Sequence, residues 1–337
     1  RLLDTAVAQF DHTFDPQHGG FGGAPKFPPH GALAFLLAEH ARTAAARPLA
    51  MVTGTLDAML LGGIRDHLGG GFHRYSTDER WFTPYFEKML YDNAQLARVL
   101  AEAFAVTRNP AYAAAARETI HAVLRDLTGD DGLFHAALDA DSEGEEGRFY
   151  LWSRDEILAS LGARDGERFC SAYHITPAGN HRDEATGRPT GLNIPFLDAA
   201  TAHEEDALRP SKSLLFAARA RRVPPGRDDK VILGWNGLMI GALATAGRLL
   251  EDTSFVKAAV RAATELRAAM CRDGRWLHTC RNGVAKMDAF LDDLAALGHA
   301  WLDLHEATGD SAWHEDARRL ADDILARFSD VDNGAFF

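Results

Sequence analysis

The chain has 337 residues, 46% of them hydrophobic and 25% charged, enough apolar material for a large core that hides roughly three quarters of the unfolded surface. Its formal net charge of −12 with scattered Lys and Arg repels phosphate backbones and anionic bilayers, so nucleic-acid and membrane partners are excluded as expectations. No apolar run nears the roughly 20 residues of a bilayer span, there is no signal-peptide layout, and Cys170, Cys271 and Cys280 form no CxxC pair, so a cytoplasmic chain without disulfides is expected.

Apolar residues recurring at i, i+3, i+4 and i+7 predict helices over 2–13, 31–46, 48–66, 84–107, 111–127, 153–161, 166–174, 210–221, 231–250, 254–271, 287–307 and 312–328. Strand signals are sparse. Between these segments a phrase recurs in which glycines precede an aromatic: Asp15 to Phe21, His67 to Phe72, Asp131 to Phe134, Asp273 to Trp276 and Asp332 to Phe336. A sixth turn-rich stretch, Gly179 to Asn193, fills the long gap between the third and fourth. Asn109-Pro110 and Asp252-Thr253-Ser254 supply helix breaks and N-caps. Six helical hairpins closing in a ring, an all-α (α/α)6 toroid in one domain over 1–337, follow as the expected fold, with an insertion near 196–230. Arg1 at the start and a turn-like phrase ending at Phe337 read as a fragment whose last helix is missing.

The segment 231–249 is apolar nearly all round and 254–271 is amphipathic, as inner and outer helices of such a ring should be.

Four constellations carry polar chemistry. The densest runs from Gly69 through Phe72, His73, Arg74, Tyr75 and Trp81 to Tyr85, Glu87, Tyr91 and Asp92. Glycines let a backbone approach a ligand, aromatics stack on a sugar's C–H face, and charged groups fix hydroxyls. Read as helix, the segment puts Glu87 and Tyr91 on one face at i and i+4. The alternative is first-turn carboxylates complementing a helix dipole.

The second is Asp139, Asp141 and Glu143 in Asp-Ala-Asp-Ser-Glu-Gly. It resembles the opening of a calcium loop, but Tyr150 stands where the bidentate Glu is needed. A solvated acidic loop and a carboxylate pair serving acid/base chemistry both stay open. The third is Lys230 with Trp235 and Asn236, whose amide in so apolar a helix must bond either backbone or ligand. The fourth is Asp288, Asp292 and Asp293, with Asp288 and Asp292 sharing a face with His299 if the helix starts at 287. No histidine spacing forms a metal site, and neither a hydrolase elbow nor a phosphate loop is present.

Together the phrases GGFGGAPKFP (19–28), GGGFHRYS (69–76), FEKMLYDNAQL (86–96), DADSEGEEG (139–147) and WNGLMI (235–240) resemble the helical region of the thioredoxin domain-containing, spermatogenesis-associated-protein-20-like family. The likeness spans nearly the whole chain. It implies an (α/α)6 region similar to N-acylglucosamine 2-epimerases and six-hairpin glycosidases, preceded in the full-length protein by a thioredoxin-like domain that this chain lacks. One departure is Tyr85, where the family has His.

By analogy of fold a small sugar-like ligand is expected, and with it a place in carbohydrate metabolism. In a sugar epimerase or isomerase, His73 and a carboxylate such as Glu87 or Asp141 exchange a proton beside a carbonyl without any cofactor. In a glycoside hydrolase, Asp92 and Asp141 act as acid and base. In a non-catalytic module the same residues only bind a metabolite or partner. Arg74, Tyr75, Trp81, Tyr85, Tyr91, Asp139, Glu143, Lys230, Trp235, Asn236, Asp292 and Asp293 are the expected ligand contacts. Neither a metal nor an oligomeric state is read from the sequence.

Overall fold

A computed structural model describes residues 2–183 and 186–337. Its eleven α-helices are α1 (Leu2–Thr13), α2 (His30–Thr43), α3 (Ala46–Leu61), α4 (Leu90–Thr107), α5 (Pro110–Asp126), α6 (Arg154–Ala172), α7 (Arg209–Arg219), α8 (Leu233–Leu249), α9 (Thr253–Met270), α10 (Leu291–Thr308) and α11 (Ser311–Phe328). Contacts divide the chain into two compact units, the first formed by Arg1–Lys88 with Leu138–Gly226, the second by Met89–Ala137 with Arg227–Phe337.

Local chemistry sets the hairpins. The Asn109 side chain accepts from the Ala111 N–H ahead of a proline at the first turn of α5, and Asp252 accepts from Ser254 to start α9. Ser153 and Glu156 form a reciprocal capping box at the head of α6. The glycine loops return the chain on itself through short antiparallel bridges, Phe14 to Phe21, Arg65 to Phe72, Thr128 to Phe134, Cys271 to Trp276 and Ser329 to Phe336. In each the aromatic of the sequence phrase lies on the bridge.

In the first unit α2 packs on α3 and α6 on α7. The stretch read as an insertion forms a 3-10 turn at Ala202–Glu204 and α7, whose Leu215 joins a cluster with Trp152, Phe169 and Tyr173. In the second unit most of α8 from Leu233 to Gly247 is buried, Trp235 and Leu238 being half-buried, and it packs against α4, α9 and α10. Gly237 permits that closeness, because a Cβ there would sit 3.0 Å from the Ala296 carbonyl carbon of α10. Helix α9 buries only Phe255, Ala259, Ala262, Ala263, Leu266 and Met270, the single stripe its amphipathic pattern calls for.

Two of three local expectations fail. Residues 84–89 are extended, so α4 begins at Leu90. The two helices read at 153–161 and 166–174 are present as two helical stretches of α6, separated at Gly162, whose φ of 78° and ψ of 170° are not helical. The stretch before α10 is a β-hairpin, Arg275–Arg281 paired with Val284–Asp288. Asn282 and Gly283 turn it, both with positive φ, the type I′ arrangement that Asn-Gly favours.

Candidate functional site

Residues 84–88 alternate strictly: Pro84, Phe86 and Lys88 are buried, Tyr85 and Glu87 half-buried. An extended chain sends successive side chains to opposite faces, so this one segment builds two different environments in the first unit. Its position is set by pairing of Tyr75–Ser76 with Pro84–Tyr85, Tyr75 opposite Tyr85, and by the Arg74 N–H donating to the Glu87 carbonyl at 2.8 Å. The i, i+4 relation of Glu87 to Tyr91 does not exist, because Glu87 precedes the helix.

The inner face is an ion network. The Lys88 ammonium donates to Asp66 Oδ2 at 2.7 Å, and the Arg219 guanidinium donates to both Asp66 oxygens at 2.9 and 2.8 Å. Asp66 also accepts from the backbone N–H of Leu68 and Gly69. Burial alone would raise the Asp66 carboxyl, but Arg219 and Lys88 hold it well below the usual carboxylate range. Arg219 lies over Phe149 and Tyr150, 5.0 and 5.3 Å from the ring centres.

His73 belongs to this inner face. Its Nδ1 is 2.9 Å from the Phe86 carbonyl oxygen, and its ring meets Phe86 and Tyr150 edge-on. Burial, then the nearby Lys88 charge, push its pKa down to about 3, so it is a neutral imidazole whose Nδ1 donates. His67 is buried alongside and lowered to about 4 by burial and then Arg65. Asp66, His67, His73, Phe86, Tyr150 and Arg219 help line a cavity of about 20 Å³, room for about one water. His73 is 2% exposed and its Nδ1 is engaged by the Phe86 carbonyl, so it lies in this packed network rather than on an open surface.

The outer face carries the ligand-like features. Phe27, Tyr75 and Tyr85 form a continuous aromatic stack, with ring centres 4.7 and 5.1 Å apart and interplanar angles of 27° and 16°. Phe27 is 54% exposed. Beside the stack Arg74 Nη1 donates to Glu87 Oε2 at 2.9 Å, both side chains partly open to solvent. Burial, then Glu87, Glu146 and Asp139, raise the Tyr85 phenol, which therefore stays protonated and can donate a hydrogen bond.

Asp139, Asp141 and Glu143 are exposed. Asp141–Ser142 pairs with Glu145–Glu146, and Glu143 and Gly144 turn this hairpin with φ 55° and 81°. The acidic phrase is thus a two-residue β-turn rather than the start of a calcium loop, and Glu143 is tied to Arg148 at 3.0 Å. Trp81 is fully buried; its Nε1 donates to the Gly19 carbonyl, and Lys26 sits over its ring. It packs the first glycine loop and is corrected from a ligand contact to a core residue.

In the second unit Tyr91 and Trp235, both half-buried, meet edge-to-face at 4.8 Å. Asp92 is buried in the first turn of α4, where the helix dipole favours a carboxylate. Asn236 is another correction: its Oδ1 accepts from Phe134 N, and its Nδ2 donates to the carbonyls of Phe134 and Ile232, so backbone consumes the amide. Lys230 is exposed and pairs with Asp228 at 3.1 Å. Asp292 is exposed, and Asp288, on the hairpin strand, shares no helix face with it.

Asp293 is buried and accepts from Gly234 N at 2.9 Å and Phe290 N at 3.0 Å, with His278 Nδ1 2.7 Å away. It is inaccessible to a ligand directly. Asp66, Arg219, His67 and His278 were missed by sequence reasoning. Only the Trp-x-His-x-Cys alternation of 276–280 could have marked His278 as inward-facing. Among the described residues no group of three or more His, Cys, Asp or Glu side chains is placed to hold a metal ion, and no helix is long and apolar enough to cross a membrane.

No family model matches the chain. Spermatogenesis-associated protein 20 of Homo sapiens is 35% identical, over 98% of this chain and 47% of the relative, and that of Rattus norvegicus is also 35% identical with the same coverage. An uncharacterized protein of Caenorhabditis elegans is 30% identical over 91% of the chain and 48% of its own length. The chain is similar to spermatogenesis-associated protein 20 along nearly its whole length and spans about half the length of these curated relatives.

Among solved structures, a family 76 α-mannanase of Bacteroides thetaiotaomicron matches with a TM-score of 0.59 at 12% identity, covering 100% of this chain and 75% of that one. An unsaturated glucuronyl hydrolase of Bacillus sp. GL1 matches with 0.58 at 11% identity, covering 99% and 69%. These likenesses show the fold class, that of the α/α toroids, and nothing about reaction.

Proposed function

We propose that the chain binds a small carbohydrate on the outer face of the first unit and isomerises it by proton transfer through Glu87. The observation that carries this reading is the Phe27–Tyr75–Tyr85 stack standing beside the Arg74–Glu87 pair. Stacked rings offer an apolar platform for the C–H face of a sugar, and partly exposed charged groups hold its hydroxyls.

His73 is buried against Phe86, whereas Glu87 is partly open to solvent and is the base on this segment that a ligand on the outer face meets. A single base suffices for aldose–ketose exchange. Glu87 takes the proton from the carbon beside the carbonyl, the C–H bond breaking as a carboxyl O–H forms and the electron pair moving into an enediolate. Tyr85, protonated, donates to the developing oxyanion. Glu87 returns the proton to the neighbouring carbon, while the hydroxyl proton passes between the two oxygens through water. Arg74 orients the carboxylate. No cofactor is required by these steps.

Incubation with a panel of mono- and disaccharides in heavy water, read by mass spectrometry and sugar analysis, tests this. Isomer formation with deuterium entering carbon supports the proposal, and Glu87→Gln should abolish it. Phe27→Ala should weaken binding about three- to tenfold, the range of one aromatic contact. Glycosidic cleavage would favour hydrolysis by paired carboxylates instead. Binding without turnover would leave a metabolite-binding module. Full turnover in both variants would refute the site.

A further inference from the structure

The second unit contains an oriented imidazole that the reading above does not use. In the strand Arg275–Arg281, Trp276, His278 and Cys280 share a face, with Trp276 and Cys280 buried and His278 half-buried. His278 Nδ1 lies 2.7 Å from Asp293 Oδ2. That carboxylate has no freedom to move: it is buried, and the N–H groups of Gly234, at the head of α8, and Phe290, before α10, both donate to it. A carboxylate accepts here, so in the neutral ring Nδ1 carries the proton and Nε2 has the lone pair. Nε2 makes no hydrogen bond to the described residues. The Phe290 ring meets the imidazole edge-on at 4.8 Å and is itself 52% exposed.

We propose that His278 accepts a proton from a polyhydroxylated ligand whose C–H face rests on Phe290, with Asp293 as its positioning residue. The ligand's O–H bond breaks, an Nε2–H bond forms and the electron pair stays on the ligand oxygen. Asp293 stabilises the imidazolium until the proton returns to that oxygen. This is the arrangement of a general base held in one tautomer by a buried carboxylate. It stands or falls independently of the Glu87 proposal.

Two measurements on the unaltered chain test the proposal. Long-range proton–nitrogen correlation spectra of ¹⁵N-labelled protein at neutral pH should show His278 protonated on Nδ1 alone. Diethyl pyrocarbonate, followed by peptide mass spectrometry, should modify His278 about tenfold faster than the other half-buried histidines, and saturating sorbitol should suppress that modification. Asp293→Asn should shift the tautomer towards Nε2–H and cut the rate about tenfold or more. Phe290→Ala leaves the carboxylate intact and should retain the fast modification but lose protection by sorbitol. An Nε2–H tautomer in the unaltered chain, a modification rate no greater than that of the other histidines, or absence of sorbitol protection overturns the proposal.

Discussion

Asp66 and Arg219, 153 residues apart, form a two-pronged ion pair at 2.9 and 2.8 Å inside the first unit, with Lys88 closing the same carboxylate at 2.7 Å. One buried anion holds two buried cations, so its removal is asymmetric. Asp66→Asn keeps the shape but strands both charges, and a loss of about 3–5 kcal/mol is expected. Urea denaturation at pH 7 measures it. Replacing Arg219 by Leu in the same variant should recover part of the loss, because one of the stranded charges is then gone.

Acid should weaken the first unit well before its carboxylates titrate. His67 and His73 have pKa values of about 4 and about 3 in the folded chain, against roughly 6.5 unfolded. Below pH 6.5 the unfolded chain takes up protons that the folded chain refuses, so stability is full above that pH and falls as the pH drops towards 4. Each histidine contributes a slope of up to about 1.4 kcal/mol per pH unit in that window. Asp66, held low, adds a further loss only below about pH 4. Midpoints of urea denaturation should stay level from pH 7.5 to about 6.5 and then fall down to pH 4.5. His67→Gln should flatten the profile, and an unchanged slope would remove His67 from the account.

The features legible in the sequence are those written in neighbouring residues. Caps at Asn109 and Asp252, the apolar girth of 231–249 and the glycine-aromatic loops all act within a few residues, and the structure repeats them. The reading failed where a short element resembled a longer one. Residues 84–88 alternate with period two, yet their apolar content merged with the helix that follows. The Asn282-Gly283 turn was printed in the sequence, but the residues after it also suited a helix start. The site was less legible for a different reason: Asp66 meets Arg219, and Asn236 meets Phe134, across more than 100 residues, and no local spacing records such meetings. Thus Asn236 read as an available amide and Trp81 as an available ring when both were already engaged.

Asn236→Ala tests the first of those engagements. The amide accepts from Phe134 N and donates to Phe134 O and Ile232 O, at 2.9, 2.9 and 3.1 Å. Truncation leaves a buried N–H and carbonyl of the loop without these partners, at a cost of about 1–3 kcal/mol. Hydrogen exchange at the Phe134 amide should accelerate beyond what the global loss explains, since the bond removed is its own. Unchanged protection there would show that the loop is held elsewhere.

Gly147→Ala links the buried network to the proposed ligand face. Gly147 has φ 72°, and a Cβ there would lie 2.5 Å from a Phe86 ring carbon. The left-handed backbone alone costs roughly 1–2 kcal/mol for a residue with a side chain, and forcing a ring aside in a packed interior costs about 1–3 kcal/mol more. Phe86 cannot retreat freely, because its carbonyl faces His73 and its ring packs against His73 and Tyr150. Its displacement must pass to Tyr85 and Glu87, the residues on either side of it in the extended segment. Gly147→Ala should therefore lower both the denaturation midpoint and the affinity for a sugar identified by the exchange assay. Adding Phe86→Leu, which frees space next to the new methyl, should restore affinity more than stability, because the backbone strain at 147 persists while the push on Tyr85 and Glu87 is relieved. Stability falling with affinity untouched would show that the two faces of the segment are uncoupled.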